Sequence, residues 1–201
     1  MKKRNLFLLV SALLISSGIW LMTTNAGTMA KGYFLYRTSL EPKAENFPKN
    51  KAEKQTAAAE DLLYPKRPEA GEQIGNLSIP KLEANLPIYH GTAEEELEQG
   101  VGHYAGSVLP GEKDNSVLSG HRDTVFRNLG EFGKGDLLIV TTSAGEFTYK
   151  VRQVRIVDKD DRTVIVPKPK AVLTLSTCYP FAFAGPAPER YILISDLLAA
   201  K

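Results

Sequence analysis

Twelve prolines and sixteen glycines cut this chain of 201 residues into apolar runs that are mostly too short for helices. Ile74-Gly-Asn-Leu-Ser-Ile79 alternates apolar and polar residues as a half-buried strand does. Pro80 ends it, because proline has no N–H to give a ladder. Ala84-Asn-Leu-Pro-Ile-Tyr89 reads as a second strand, kinked or at an edge because of Pro87. Asn115–Gly120 is a short strand. Asp136–Thr142 and Glu146–Val151 flank Ser143-Ala-Gly145 as a β-hairpin whose second arm reaches toward Val157. Asp158–Asp161 is a charged turn, and Thr163–Val166 a brief apolar piece closed by Pro167 and Pro169. Ala171–Cys178 and Tyr191–Ser195 supply the last strands. Helical signals are few: Thr92 caps a helix over Ala93–Gln99 with Glu95 completing a capping box, and Phe126–Phe132 is a short helix or turn. Gly100, Gly102 and Gly106 predict a flexible turn around His103 and Tyr104. Seven or eight short strands with few helices argue for a mainly β fold, a closed or nearly closed barrel.

The chain before the barrel has a different character. Lys2-Lys3-Arg4 precedes an apolar stretch, and no charged residue occurs between Arg4 and Lys31. Asn5 to Thr24 supplies the roughly 20 residues that a helix needs to cross the hydrocarbon core. The basic cluster predicts that the N-terminus stays inside, with Trp20 near the outer interface. Thr24-Asn25-Ala26 offers a weak small-residue cleavage pattern as the rival signal-peptide reading, and either way the folded domain is extracytoplasmic. The organisation expected is a cytoplasmic stub and transmembrane anchor over 1–26, a linker over 27–72 broken by Pro42, Pro48, Pro65 and Pro68, and a folded domain over 73–201. Within the linker, residues 55–63 could form two helical turns, with Leu62, Leu63 and Tyr64 as a small docking patch.

A net charge of +2, with cations and carboxylates interspersed, gives no concentrated basic face for nucleic acid. Cys178 is the single cysteine, so it has no intramolecular disulfide partner, and no cysteine–histidine cluster has zinc-ligand spacing. A lone cysteine is ordinarily a small buried hydrophobe, but outside the cytoplasm a spare thiol invites oxidation. Its retention there needs a reason.

That reason is chemical. Cys178 closes the run Ala171–Cys178, and Tyr179-Pro180 stops the strand. His121 closes the run from Ser116 to Gly120, and Arg190 opens Tyr191–Ser195. Thiols attack acyl carbons as thiolates, and a free cysteine is only about 3% ionised at neutral pH, so a base or a cation must stand near. The division of labour this allows is Cys178 as nucleophile, His121 as general acid and base, and Arg190 as electrostatic stabiliser. His90 and His103 compete for the base role. His90 sits beside a proline-kinked strand and reads as a surface residue, whereas His103 in its glycine-rich loop is a serious rival. Arg190 could instead pair with Glu189 or Asp196.

Ser119-Gly-His121-Arg-Asp-Thr124, Thr174-Leu-Ser-Thr-Cys178 and the spacing from Cys178 to Arg190 resemble the signatures of sortases, membrane-anchored cysteine transpeptidases of Gram-positive bacteria. Gly102-His-Tyr104, Gly120-His-Arg-Asp-Thr124 and Thr177-Cys-Tyr-Pro180 are similar to the class D branch. The resemblance covers residues 74 to 196 and implies an eight-stranded β-barrel with His121, Cys178 and Arg190 as the catalytic set and Thr177 supporting the nucleophile. It implies attack on the threonine carbonyl of a Leu-Pro-x-Thr-Gly-like sorting signal on a surface protein. A peptidoglycan-precursor amine then resolves the thioacyl enzyme. A hydrolase that uses water in that second step, and a tethered barrel that binds wall peptides without turnover, are the alternatives. Some sortases bind calcium, and Glu94–Glu96 and Asp158–Asp161 group carboxylates, but such clusters read as solvated turns. No metal or other cofactor is expected.

Overall fold

The computed structural model describes residues 13–20, 63–182 and 185–201. Residues 13–20 are helical (α1). Among the described residues no helix is long and apolar enough to cross a membrane. The rest of the anchor expected over residues 5–24, and nearly all of the expected linker, lie outside the described residues.

Eight strands form the domain: β1 (Gln73–Ile79), β2 (Ala84–His90), β3 (Val101–His103), β4 (Asn115–Ser119), β5 (Leu137–Thr142), β6 (Gly145–Asp158), β7 (Val172–Tyr179) and β8 (Glu189–Ala200). They close in the order β1-β2-β3-β4-β7-β8-β6-β5, with β5 returning to β1. A short helix, α2 (Glu94–Gln99), and two 3-10 turns, Pro80–Leu82 and Leu129–Glu131, complete the fold.

Alternation decides which face each strand buries. Leu77 and Ile79 of β1, Leu86 and Ile88 of β2, Leu118 of β4, Leu173 and Leu175 of β7 and Leu193 of β8 join one core inside the barrel. At roughly 25 cal/mol per Å² of apolar surface removed from water, each such side chain contributes about 2 kcal/mol of favourable transfer. A smaller cluster of Val157, Val164, Val172, Ile192 and Ile194 packs on the outer face. Val164 belongs to the apolar piece Thr163–Val166, which forms no strand but covers β7 and β8 with that side chain.

Two of the eight joins, β2 with β3 and β4 with β7, are parallel. A parallel pair needs a crossover rather than a tight turn. Residues 91–100 with α2 provide the first, and the β5–β6 hairpin with its flanking loops provides the second. The 14-residue β6 pairs with both β5 and β8, and register shifts at Thr148/Tyr149 and Val151/Gln153 let it bend around the barrel.

The Gly100–Gly106 segment differs from the expected flexible turn. Val101, Gly102 and His103 are buried as β3. A Cβ on Gly102 would meet the Gly91 carbonyl oxygen at 2.5 Å, so glycine here serves close backbone approach rather than mobility. The expected cap of α2 also shifts by one residue. Ala93 is the N-cap, and the Glu96 carboxylate, not that of Glu95, accepts its N–H at 2.8 Å. Alanine has no acceptor to complete the reciprocal half of the box.

The segment before β1 packs onto the barrel. Tyr64 is buried, donating its hydroxyl to the Pro110 carbonyl at 2.6 Å and meeting Thr142 Oγ1 at 2.8 Å. Arg67 closes on Glu112 with two 2.7 Å contacts.

Candidate active site

β7 is the strand on which the site is built. Thr177 faces inward opposite Tyr191, and both are buried. Cys178 therefore points to the outer face, opposite Arg190, since directly paired residues share a face. Its side chain is half-buried. On the other edge of β7 the parallel register runs Ser119 with Ser176. The Gly120 N–H continues it by donating to the Ser176 carbonyl at 3.2 Å. His121 lies two residues beyond Ser119, and Cys178 two beyond Ser176, at the same end of the β4–β7 ladder. Cys178 and Arg190 thus form one cross-strand row on β7 and β8, with His121 in the turn just past the end of β4, the strand beside β7.

Thr177 locks this row. Its buried Oγ1 donates to the Gly120 carbonyl at 2.7 Å, fixing the residue that precedes His121 to the residue that precedes Cys178. A Cβ on Gly120 would meet Val125 and Phe126 at 2.7–2.8 Å, so that backbone has no slack on its inner side.

An aromatic cluster holds the far end of β7. Tyr179 stacks on Tyr191 with centroids 6.2 Å apart, and Phe181 meets both edge-on at 5.7 and 5.2 Å. The Tyr191 hydroxyl donates to the Phe132 carbonyl at 2.9 Å. Burial pushes its pKa up, with a smaller push from Tyr179, so it remains a donor at neutral pH.

Arg190 makes no ion pair among the described residues. Its Nη1 donates to the carbonyls of Glu189 at 2.9 Å and Ala187 at 3.3 Å. Asp196 pairs instead with Arg152 and Lys170, each at 3.1 Å. The charge of Arg190 is not neutralised by either of the carboxylates named from sequence.

His121 is 35% exposed, and its Nε2 lies 3.4 Å from Glu94 Oε1 at the start of α2. His103 is in a different place. It pairs with Leu118, which pairs with Leu175, three residues back along β7 from Cys178 and on the inward face. Its Nε2–H donates to the Val108 carbonyl at 2.9 Å, which leaves Nδ1 to accept from His90 Nδ1–H at 3.0 Å. Burial pushes the His103 pKa down to about 4, with His90 adding to the shift and the bond to Val108 opposing it. His90, read from sequence as a surface residue, is half-buried and stacked on His103 with centroids 5.1 Å apart.

Sequence reasoning missed two groups near the row. In the sequence Glu94 reads only as one of a run of acids, and the fold brings it within 3.4 Å of His121. Arg122 stood inside the quoted motif without a role. The carboxylates of 158–161 are engaged locally: Asp158 Oδ1 accepts from the Asp160 N–H, Asp161 Oδ1 from the Thr163 N–H, and Asp161 Oδ2 pairs with Arg155. An open depression of about 570 Å³ lies beside Lys134, Lys150, Arg152 and Asp196. Asp196 is six residues along β8 from Arg190, roughly 20 Å at strand rise, so that depression is separate from the row.

Comparison with known proteins gives a consistent picture. A family model for the sortase domain matches residues 77–198. Sortase D of Bacillus subtilis (strain 168) is 53% identical over 128 residues, covering 63% of this chain and 65% of that protein, slightly under two thirds of its length. The catalytic domain of SrtD from B. anthracis superposes with a TM-score of 0.58 at 39% identity, over 67% of this chain and 93% of that one. A Clostridium perfringens sortase D5 transpeptidase superposes with a TM-score of 0.60 at 26% identity, over 65% and 82% of the two chains.

Proposed function

This chain belongs to the sortase family, and on that premise we propose that it is a membrane-anchored cysteine transpeptidase that joins surface proteins to the cell wall. The observation that supports the reading is the direct pairing of Cys178 with Arg190 across β7 and β8, with His121 just past the end of β4, the strand beside β7. The similarity to a sortase D5 transpeptidase supports the reaction class.

In the first half-reaction the Cys178 thiolate attacks the threonine carbonyl of a Leu-Pro-x-Thr-Gly-like signal. Charge gathers on the carbonyl oxygen, and Arg190, without a carboxylate partner among the described residues, donates to it. Collapse breaks the peptide bond, and His121 delivers a proton to the departing amine. A thioacyl enzyme remains. In the second half an amine of a peptidoglycan precursor loses a proton to His121 as it attacks, the C–S bond breaks, and the thiolate returns. Thr177, by holding Gly120, keeps base and nucleophile in register.

The anchor is the stretch from Asn5 to Thr24, preceded by Lys2-Lys3-Arg4. It places the barrel on the outer side of the membrane, where sorting signals and wall precursors are found.

Incubation with a sorting peptide, followed by mass spectrometry of the intact protein, tests the reading. Wild type is expected to carry a thioacyl adduct that a primary amine discharges into a new amide, and Cys178→Ala is expected to carry none. An undiminished adduct in Cys178→Ala, or free acid as the sole product with amine present, would overturn it.

A further inference from the structure

The turn that leaves His121 contains an arginine that solvent scarcely reaches. Arg122 is 7% exposed. Its Nη1 donates to the Pro180 carbonyl and its Nη2 to the Gly185 carbonyl, each at 2.9 Å. The neighbouring Asp123 is 67% exposed and stands 3.6 Å from Nε, a longer contact on the solvent side. Burying a guanidinium strips its hydration, and the usual compensation is a buried carboxylate. Two backbone carbonyls are among its partners here, and they lie on one particular connection. Pro180 is two residues beyond Cys178, and Gly185 is five residues before Arg190.

We propose that Arg122 is a positioning residue for substrate recognition: its fork sets the backbone at Pro180 and Gly185, on the connection between Cys178 and Arg190, so that this backbone can receive the sorting peptide attacked by Cys178. This rests on the transpeptidase reading above. Arg122 does not touch the reacting atoms. Its two donations span five residues of chain, a task for a planar fork and not for the single point charge of a lysine.

Steady-state transpeptidation by the full chain tests this, with a Leu-Pro-x-Thr-Gly-type peptide and an amine acceptor. Arg122→Gln is expected to raise KM for the peptide about tenfold, the loss of one charge-assisted bond, while kcat stays within about threefold. Arg122→Lys should fall between. Alkylation of Cys178 by iodoacetamide should proceed within about twofold of the wild-type rate, since the thiol's own surroundings are untouched. Gly185→Ala, at a φ of +125° that an L side chain rarely adopts, should shift the second carbonyl and raise KM without altering the guanidinium. It decides the matter if Arg122→Gln does not fold. A merely structural role gives the opposite pattern: unchanged KM, with kcat falling in step with the folded fraction. That pattern overturns the proposal.

Hydrogen exchange separates this inference from the reaction itself. Arg122→Gln should speed amide exchange at Gly185 and its described neighbours whether or not wild type turns over. Unchanged exchange there sinks the positioning role, whereas an inactive wild type sinks only the function it rests on.

Discussion

Cys178 and Arg190 are direct partners across the antiparallel ladder between β7 and β8, and the pair one step deeper in the barrel, Thr177 and Tyr191, is buried. The ladder sets the geometry of the site. The thiol and the guanidinium share the outer face because their inward neighbours are fixed in the core.

Arg190 is therefore expected to act on the transition state more than on binding. Arg190→Ala should lower kcat about 100- to 1000-fold, the usual loss on deleting one oxyanion donor, with a smaller change in KM. Arg190→Lys should recover part of this, because it restores the charge without the fork. Steady-state kinetics with a sorting peptide checks both. A change confined to KM would assign Arg190 to substrate binding instead.

Thr177 offers a different test. Thr177→Val keeps the shape but removes the 2.7 Å bond and leaves the Gly120 carbonyl buried without it. Stability should fall by about 1–3 kcal/mol, and kcat should fall beyond what the folded fraction explains, because His121 follows Gly120. Thr177→Ser should restore both. Urea titration and single-turnover acylation measure the two effects separately.

Most of the strands were legible because their apolar residues alternate and Gly or Pro punctuates them. Ile74–Ile79 and Asn115–Gly120 fall within a residue or so of the observed strands. β3 was not legible. Its glycines signal a turn locally, and only the parallel partner β2 and the close approach to Gly91 make them a strand. That Cys178 closes one strand and Arg190 opens the next could be read locally, but that the two strands pair there and that β4 lies parallel to β7 are properties of the closed barrel, which no local pattern encodes. For the same reason Glu94 and Arg122 stayed without roles. Their partners, His121 for one and Pro180 and Gly185 for the other, are brought near by topology. His103 shows the converse. As a sequence feature it rivalled His121, and burial on the inward face separates them.

The contact of Tyr64 with the barrel predicts that the folded unit loses stability when that side chain is altered, although it precedes β1. Burial pushes its pKa up to about 12, with the Thr142 bond opposing, so the hydroxyl stays a donor. Tyr64→Phe should cost about 1–2 kcal/mol, chiefly by stranding the Pro110 carbonyl. Arg67→Ala should cost less, under about 1 kcal/mol, since Arg67 is largely exposed. Urea denaturation of the single variants ranks them, and the reverse order would show that the ion pair, not the tyrosine, holds this segment.

His103 predicts how the barrel responds to acid. Its pKa is about 4 in the folded protein against an ordinary value of 6.5. Between those values the unfolded chain binds more protons than the folded one, so stability rises with pH across the window. The contribution is fully present above pH 6.5 and is lost as pH falls toward 4. Two and a half units at about 1.36 kcal/mol each give roughly 3 kcal/mol in total. Other groups titrate near the acid end, Asp136 among them, its carboxyl held below the usual range first by the hydrogen bond from Lys81. The informative quantity is therefore the difference between wild type and His103→Gln. Glutamine can still donate toward Val108 and accept from His90, yet it has no proton to gain. Urea unfolding at pH 5 and pH 7 should show wild type losing about 2 kcal/mol more than the variant over that interval. Equal losses in the two proteins would mean that His103 takes up its proton without unfolding, and that the buried pair with His90 is no obstacle to charge.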